Sequence, residues 1–385
     1  MKIHPNYRLV FLLVVLAVLA VREVALEFPH VFLRPGLHLM AYVGNTADGT
    51  ITAIDLVRLW PVATIAVGAG PSGIRAHPSR KEIWGLSSVG GYAWVFDVKR
   101  NEVAARIPVG VAPYALDFSP KGDRAYVAAS GSNSVAAIDC ASRQIVARGR
   151  PGRRPWIARV SPDGKLIAVS NRDDATVSLL SADSLSQLAV VPVAAQPEQI
   201  AILPDSSKAF ITSGSSNQIS VVDLKRMVLL AKLDLGGTPD DLILKPDGGE
   251  LYVASRDAHG LIVVNTQTNE VADFILLGMS PTTGTITADG TTLYVSDTAA
   301  NHVLPVASET RQVAGLPISV GQAPRACALA PGGDILLVVD SVSNDLAVIR
   351  AKIPRPQQPR LEPPRPPTAL IPVGLRPRDL AIKVF

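Results

Sequence analysis

Eight positions carry the side chains best suited to bind a ligand, and each directly follows a recurring proline. They are Ser72, Tyr114, Trp156, Glu198, Asp240, Thr282, Arg325 and Arg378. In this order two aromatic residues precede two acids, and two arginines come last. If the fold gathers these positions around one opening, they form a concave site with an apolar part and charged ends, the usual composition of a binding pocket. The alternative is that they are solvated loop residues varying on a rigid scaffold.

Further arginines are expected on the same face, slightly farther out. Arg172 and Arg256 each lie 16 residues beyond one of the eight positions, and Arg154 lies two residues before Trp156. The sequence therefore predicts a ligand-binding set made of Tyr114, Trp156, Glu198, Asp240, Arg325, Arg378, Arg172 and Arg256.

The sequence supports a metal site or a catalytic site less well than it supports a ligand-binding site. His259 and His302 occupy the same kind of loop in neighbouring repeats, but no third donor is spaced to join them, and a metal site normally needs three or four. Both are interpreted as exposed loop histidines. Cys140 and Cys327 are interpreted as small buried thiols. No Gly-x-Ser-x-Gly elbow or phosphate-binding glycine loop is present. The prediction is no catalytic residue, no metal and no cofactor.

The elements that must position these residues repeat along the chain. Prolines recur at positions 71, 113, 155, 197, 239, 281, 324 and 377, at intervals of 42 residues five times, then 43 and 53. Each is followed by an apolar run, a turn such as Ser161-Pro162-Asp163-Gly164, and three further short apolar runs. Pro and Gly in these turns are typical of hairpins. Four antiparallel strands per repeat predict an all-β protein, a β-propeller.

The two ends of the chain predict the number of blades. The last residues, 374–382, supply a first strand with nothing after it, whereas residues 41–68 supply the other three strands and no first. Together they complete one shared blade, which closes the ring and removes exposed edges. With seven whole repeats, this gives eight four-stranded blades. Seven blades are the alternative, but one second strand would then stay unused.

The repeat resembles a known family. Over roughly residues 39 to 385 the repeat is similar to the YVTN-type β-propeller repeat of YncE-like proteins. The similarity rests on Ser-Pro-Asp-Gly, followed by Tyr-Val-Ala and then by Ile-Asp and Val-Gly. Ala288 and Ala194 depart from the pattern. The resemblance implies an exported bacterial scaffold whose repeat motif contains no catalytic residue. Eight-bladed propellers resembling the haem domain of cytochrome-type nitrite reductases share this repeat style, which implies a redox alternative.

The N-terminal segment indicates export. Lys2 and Arg8 precede an apolar run at residues 9–21, which is shorter than the roughly 20 residues that span a bilayer. Residues 1–21 are therefore predicted to be a signal peptide or an N-terminal membrane anchor, residues 22–37 a leader, and residues 38–385 the propeller. The expected location is periplasmic or secreted, with possible anchoring in the inner membrane by residues 9–21.

The longest interval contains an insertion at residues 351–368. Seven prolines and four basic residues, against the single acid Glu362, predict an extended and exposed basic loop. It is either a tolerated lengthening or a docking arm for a protein or an anionic membrane.

These features predict an exported, non-enzymatic binding or scaffold protein of the bacterial envelope, in the form of a monomeric ring. Its partner would be an envelope protein or a small ligand, with membrane contact through the N-terminal segment. The net charge of only +4 does not favour nucleic acid. The alternative is a cofactor-dependent, haem-type periplasmic redox protein.

Overall fold

The computed structural model describes residues 38–351 and 366–385, and these residues form an eight-bladed β-propeller. Each blade is an antiparallel sheet. The innermost strands of successive blades contact one another around the whole circle, and the last contacts the first. The predicted fold class and blade number are confirmed, and seven blades are excluded.

The first four blades hold the N-terminal half of the chain, and each runs from its innermost strand outward. Blade 1 contains β33 (Pro377–Val384), β1 (Leu39–Asn45), β2 (Thr50–Asp55) and β3 (Trp60–Ala66); blade 2 contains β4 (Pro71–Ala76), β5 (Glu82–Ser87), β6 (Tyr92–Asp97) and β7 (Glu102–Pro108); blade 3 contains β8 (Pro113–Phe118), β9 (Arg124–Ala129), β10 (Ser134–Asp139) and β11 (Gln144–Gly149); blade 4 contains β12 (Pro155–Val160), β13 (Leu166–Asn171), β14 (Thr176–Ser181) and β15 (Gln187–Pro192). A 3-10 turn, Ser130–Ser132, follows β9.

The second half of the ring continues in the same order. Blade 5 contains β16 (Pro197–Ile202), β17 (Lys208–Ser213), β18 (Gln218–Asp223) and β19 (Val228–Asp234); blade 6 contains β20 (Asp241–Leu244), β21 (Glu250–Ser255), β22 (Gly260–Asn265) and β23 (Glu270–Leu276); blade 7 contains β24 (Pro281–Ile286), β25 (Thr292–Asp297), β26 (His302–Ala307), β27 (Gln312–Val313) and β28 (Ile318–Ser319); blade 8 contains β29 (Pro324–Leu329), β30 (Ile335–Asp340), β31 (Asp345–Arg350) and β32 (Ala369–Pro372).

The outer strand of blade 7 is interrupted. β27 and β28 both pair with β26, at its two ends, and residues 314–317 lie between them. Pro317 has no N–H to donate to a ladder, which explains why pairing does not continue through this point.

The burial of a strand depends on its position within the blade. The second strand β5 is buried along its whole length, whereas the outermost strand β3 alternates between exposed and half-buried residues. Second strands are covered by the neighbouring blades on both faces, so they contain near-continuous apolar residues. The outermost strand has one edge and part of its faces in water.

The aspartates that end several third strands fix the turn to the fourth. In Asp55, Asp97, Asp139 and Asp223, Oδ1 accepts the backbone N–H groups two and three residues later. Such turns replace a backbone acceptor by a side-chain oxygen, which is the physical reason for aspartate at this register.

The ring closes where the two chain ends share blade 1. β33 pairs antiparallel with β1, with Leu39 opposite Val384 and Tyr42 opposite Ala381. Two backbone hydrogen bonds of 2.9 and 3.0 Å join His38 to Phe385 beyond the ends of these strands.

The ring has two different ends. The proline rim is the end at which the inner strands begin at the repeated prolines, and it also carries the loops between second and third strands. The turn face is the opposite end, with the turns between first and second and between third and fourth strands. The insertion lies between Arg350 and Ala369 and therefore joins the turn face.

The predicted signal or anchor (1–21), the leader (22–37) and residues 352–365 of the insertion lie outside the described residues. No helix within residues 38–351 or 366–385 is long and apolar enough to cross a membrane.

Candidate ligand-binding rim

The residues that follow the repeated prolines lie in β-bulges at the proline rim. In β12, Pro155 is opposite Asn171, but the next paired residue is Ala158, opposite Val169, so the inner strand has one extra residue there. The N–H of Ile157, freed by the bulge, donates to Ser170 Oγ at 3.1 Å. A bulge changes the direction of a side chain relative to its strand. The same shift occurs in six other inner strands, whereas β20 begins after Asp240 without one.

Two of these re-aimed side chains stack across the boundary between blades 3 and 4. The rings of Tyr114 and Trp156 have centroids 3.7 Å apart and planes 26° apart. The guanidinium carbons of Arg172 and Arg154 lie 4.7 and 5.8 Å from the Trp156 centroid. An aromatic pair is worth about 1 kcal/mol beyond its buried area, and a cation over tryptophan about 0.5–2 kcal/mol. The four side chains therefore hold one another in place.

Arg172 also links this stack to blade 5. Its Nη2 lies 2.6 Å from Glu198 Oε1, and both side chains are about three-quarters buried, with exposures of 21% and 26%. A close, partly enclosed ion pair is stronger than the usual surface pair. The rim is thus joined through side chains from blade 3 to blade 5.

A second ion pair follows in blade 6. Arg256 Nη2 lies 2.6 Å from Asp240 Oδ1, and the backbone N–H of Arg256 donates to Asp240 Oδ2 at 2.9 Å. The hydrogen bond to Asp240 raises the pKa of Arg256. The Arg256 guanidinium therefore stays positively charged and paired with the Asp240 carboxylate.

A cavity of about 350 Å³ opens beside the aromatic stack, and we name it the rim cavity. It is lined by Ser88, Ala112, Pro113, Tyr114, Ser130, Gly131, Asn133, Arg154, Trp156 and Asp173. Tyr114 is 38% exposed. Burial, and then the charge of Glu198, raise the pKa of Tyr114, so its phenol stays a hydrogen-bond donor at neutral pH. The cavity combines an aromatic wall with the Arg154–Asp173 pair, whose charged atoms are 3.5 Å apart.

The same repeat that builds this rim is recognised at the level of the family. The model of the YNCE-like β-propeller matches residues 29–293, about two thirds of the chain. The chain belongs to the YNCE-like β-propeller family. No curated protein sequence matches it significantly.

Solved structures share the fold of this YNCE-like propeller at low sequence identity. Hydrazine synthase of Kuenenia stuttgartiensis has a TM-score of 0.60 and 18% identity, covering 74% of this chain and 96% of its own. Dihydro-heme d1 dehydrogenase NirN in complex with DHE has a TM-score of 0.71 and 16% identity, over 89% and 74%. Apo AztD from Citrobacter koseri has a TM-score of 0.68 and 12% identity, over 90% and 98%. At such identities the likeness concerns the fold.

The predicted site residues are only partly brought together in this YNCE-like propeller. Tyr114, Trp156, Arg172 and Glu198 form one connected group, and Asp240 and Arg256 form a separate pair. Arg325 and Arg378 are exposed and form no ion pair with the described residues. The direct contacts among the predicted residues therefore cover an arc over blades 3 to 6, while the charge of Arg378 in blade 1 also acts on Tyr114 and opposes the rise of its pKa.

The interpretation of His302 as an exposed loop residue is wrong. His302 begins β26 opposite Asp297, is half-buried, and has its Nε2 enclosed without a hydrogen bond to the described residues. Burial lowers the pKa of His302, and the neighbouring Asp297 opposes this shift.

His259 is exposed, and its Nδ1 lies 2.9 Å from the carbonyl oxygen of Met279. Among the described residues, no group of three or more His, Cys, Asp or Glu side chains could hold a metal.

Both cysteines are free thiols, but they differ in burial. Cys140 is buried, as the sequence predicted, whereas Cys327 is half-buried in the inner strand β29. Burial raises the pKa of each thiol to about 12, so neither is a reactive thiolate near neutral pH.

The sequence reasoning missed a set of charged residues on the inner strands. Asp379, Asp117 and Asp241 each accept a backbone N–H from the inner strand of the next blade: Ile74 at 2.8 Å, Val160 at 3.0 Å and Gly284 at 3.3 Å. These carboxylates join neighbouring blades. Their signal in the sequence is an acid two or four residues after a repeated proline.

Proposed function

We propose that this YNCE-like propeller is an exported, non-enzymatic binding module that holds a small ligand, or a loop of an envelope protein, in the rim cavity. The observation that carries the proposal is the Tyr114–Trp156 stack beside that cavity, flanked by Arg154 and Arg172. An aromatic wall with a few convergent polar groups is the usual composition of a binding pocket.

The rim cavity is suited to a ligand with a flat or apolar face. Tyr114 offers a ring that is held rigidly by Trp156, so a ligand stacking there orders little that is not already ordered. Arg154, Asp173 and Asn133 supply hydrogen-bonding groups of both kinds around it. No catalytic step is needed to account for these residues.

Export and orientation are part of the proposal. His38, the first described residue, is bonded to Phe385 on the turn face. A membrane anchor at residues 9–21 would therefore hold the turn face towards the inner membrane, and the rim cavity would open away from it into the periplasm. A closed ring has no free inner edge for strand pairing, which supports a monomer.

The test is native mass spectrometry of the full chain purified from its envelope fraction. We expect wild-type protein to retain a bound molecule that Trp156→Ala loses, because truncation removes both the stack and the ring under Arg172. Trp60→Ala is the matched control, since Trp60 is 68% exposed on the outermost strand of blade 1. Retention of the same molecule by Trp156→Ala, or its equal loss from Trp60→Ala, would refute the proposal.

A second candidate is the redox alternative, favoured by the similarity to NirN, whose structure is a complex with DHE. A ligand of that kind could also rest against the aromatic wall of the rim cavity. The visible absorption spectrum of the purified protein separates the two candidates. A band that remains through purification and disappears in Trp156→Ala would favour the redox protein over the non-enzymatic module.

A further inference from the structure

A second cavity, unrelated to the rim, lies on the turn face between blades 1 and 2. Its volume is about 530 Å³, and we name it the interblade cavity. It is lined by His38, Met40, Tyr42, Ala53, Asp55, Arg58, Val62, Ala63, Lys81, Val98, Lys99, Asn101 and Phe385. Its floor is largely apolar and its edge carries three cations.

In blade 1 the space beside Met40 is not bridged to the next blade, whereas blades 3 and 5 have a long cation at the equivalent position. At the same repeat position, Arg124 of blade 3 donates to the carbonyl oxygens of Ala182 and Asp183 in the next blade. Lys208 of blade 5 does the same with Thr266 and Gln267. Those side chains fill the space between blades. Met40 cannot donate a hydrogen bond, and the space beside it stays open.

One polar group in the cavity has no partner. Tyr42 is only 2% exposed, yet its hydroxyl forms no hydrogen bond with any described residue, and burial raises its pKa. The equivalent Tyr126 donates to Ala182 O at 2.9 Å, and Tyr294 donates to Ala351 O. The Tyr42 side chain lines the open cavity, so a hydroxyl without a protein acceptor can donate to a molecule bound there. Tyr42 therefore presents an unused donor to the cavity.

The positive charges at the edge of the cavity favour a ligand whose hydrogen-bond acceptor is anionic. Arg58, Lys81 and Lys99 are all exposed, and Lys81 lies 5.6 Å from the Phe385 ring centroid. Asp55 is the acid in the lining; its Oδ1 accepts the N–H groups of its own turn, and its Oδ2 lies 3.7 Å from Arg58 Nη1 in an exposed ion pair. The Tyr42 hydroxyl and three cationic side chains thus face an opening whose floor is apolar, and Asp55 offsets part of their charge through its pair with Arg58.

We propose that the interblade cavity binds the phosphate headgroup of an anionic phospholipid, with Tyr42 donating a hydrogen bond to a phosphate oxygen and the glycerol and upper acyl region resting on the apolar floor. The membrane is the source of this ligand because His38, through which residues 1–37 and their apolar run join the ring, is part of the cavity lining. Basic groups near an anionic leaflet are each attracted to it. The site is independent of the rim cavity.

The experiment is a titration of the full chain with phosphatidylglycerol or phosphatidylcholine, with bound lipid counted by native mass spectrometry. We expect preference for phosphatidylglycerol in the wild type. In R58Q/K81Q/K99Q its affinity should fall at least about tenfold. Tyr42→Phe should lower it by about threefold without loss of stability, because the hydroxyl has no partner to lose.

The control removes three exposed charges from the same face but other blades, in K121Q/K225Q/R226Q. An equal loss of lipid in this variant would mean general charge attraction and would overturn the site. So would unchanged binding in Tyr42→Phe. Displacement of phosphatidylglycerol by inorganic phosphate at equal concentration would show that the cavity takes free phosphate, and the assignment to lipid would be wrong.

Discussion

Blade 8 contains two carboxyl groups that face each other across neighbouring strands. Asp340 and Asp345 are directly opposite each other on β30 and β31, and Asp340 is fully buried. Asp340 Oδ2 accepts the N–H of Gly321 at 2.9 Å, but Oδ1 of each acid is enclosed and has no hydrogen-bond partner outside the pair among the residues that the structure describes. Burial, and then the hydrogen bond with Asp345, raise the pKa of Asp340 to about 8.

This pair makes stability depend on pH in a defined direction. The folded protein holds a proton that the unfolded chain releases above pH 4, so the free energy of unfolding falls as pH rises from about 4 to about 8. Each pH unit in this window costs about 1.4 kcal/mol, which gives about 4 kcal/mol between pH 5 and pH 8. Water reaching the adjacent loop at residues 341–344 would reduce this, so we expect a loss of about 2–4 kcal/mol.

Asp340→Asn should remove the effect. Blades 1 and 4 already have asparagine at this position, and Asn45 and Asn171 donate to Thr50 and Thr176 on the opposite strand at 2.9 and 3.1 Å. An asparagine at position 340 would donate to Asp345 in the same way and needs no shared proton.

The assay is urea denaturation of wild type and Asp340→Asn from pH 5 to pH 9, followed by tryptophan fluorescence. The two proteins should be of similar stability at pH 5, and the variant should be more stable by about 2–4 kcal/mol at pH 9. Comparing the two cancels titrations elsewhere in the chain. A difference that stays constant across this pH range would refute the reasoning.

Two further predictions concern the ring itself. Asp117→Ala leaves the N–H of Val160 without its acceptor at the junction of blades 3 and 4. We expect this change to lower the free energy of unfolding, measured by urea titration, by about 1–3 kcal/mol. An unchanged free energy of unfolding would show that water replaces the carboxylate. Removal of residues 377–385 leaves the inner edge of β1 unpaired, so size-exclusion chromatography should show association or aggregation, whereas a stable monomer would contradict the role assigned to β33.

The fold could be predicted from the sequence because it depends on local signals that repeat. Proline and glycine determine the position of each turn. Because eight copies of the repeat align in the same register, the number of blades can be counted from the sequence. The same regularity placed Tyr114 and Trp156 side by side, since the residue after each proline must occupy the same position in every blade. Their stacking follows from this placement and from the size of the two rings.

Features that depend on contacts between blades could not be predicted in this way. The partner of Arg172 is Glu198 in the next blade, and the open space beside Met40 is recognised only by comparison with Arg124 and Lys208, which bridge to the next blade in blades 3 and 5. The burial of His302 likewise follows from its place opposite Asp297. Such contacts are set by the packing distance between sheets, which no single repeat contains.

The strand shared by the two chain ends also governs when folding can finish. β1 emerges first among the described strands, but its inner neighbour β33 is the last segment of the chain. Contacts between such distant segments form late, because loop closure costs entropy before the pairing compensates for it. Blade 1 therefore stays incomplete, and the ring cannot close, until β33 has been synthesised, because β33 follows every other described strand in the chain.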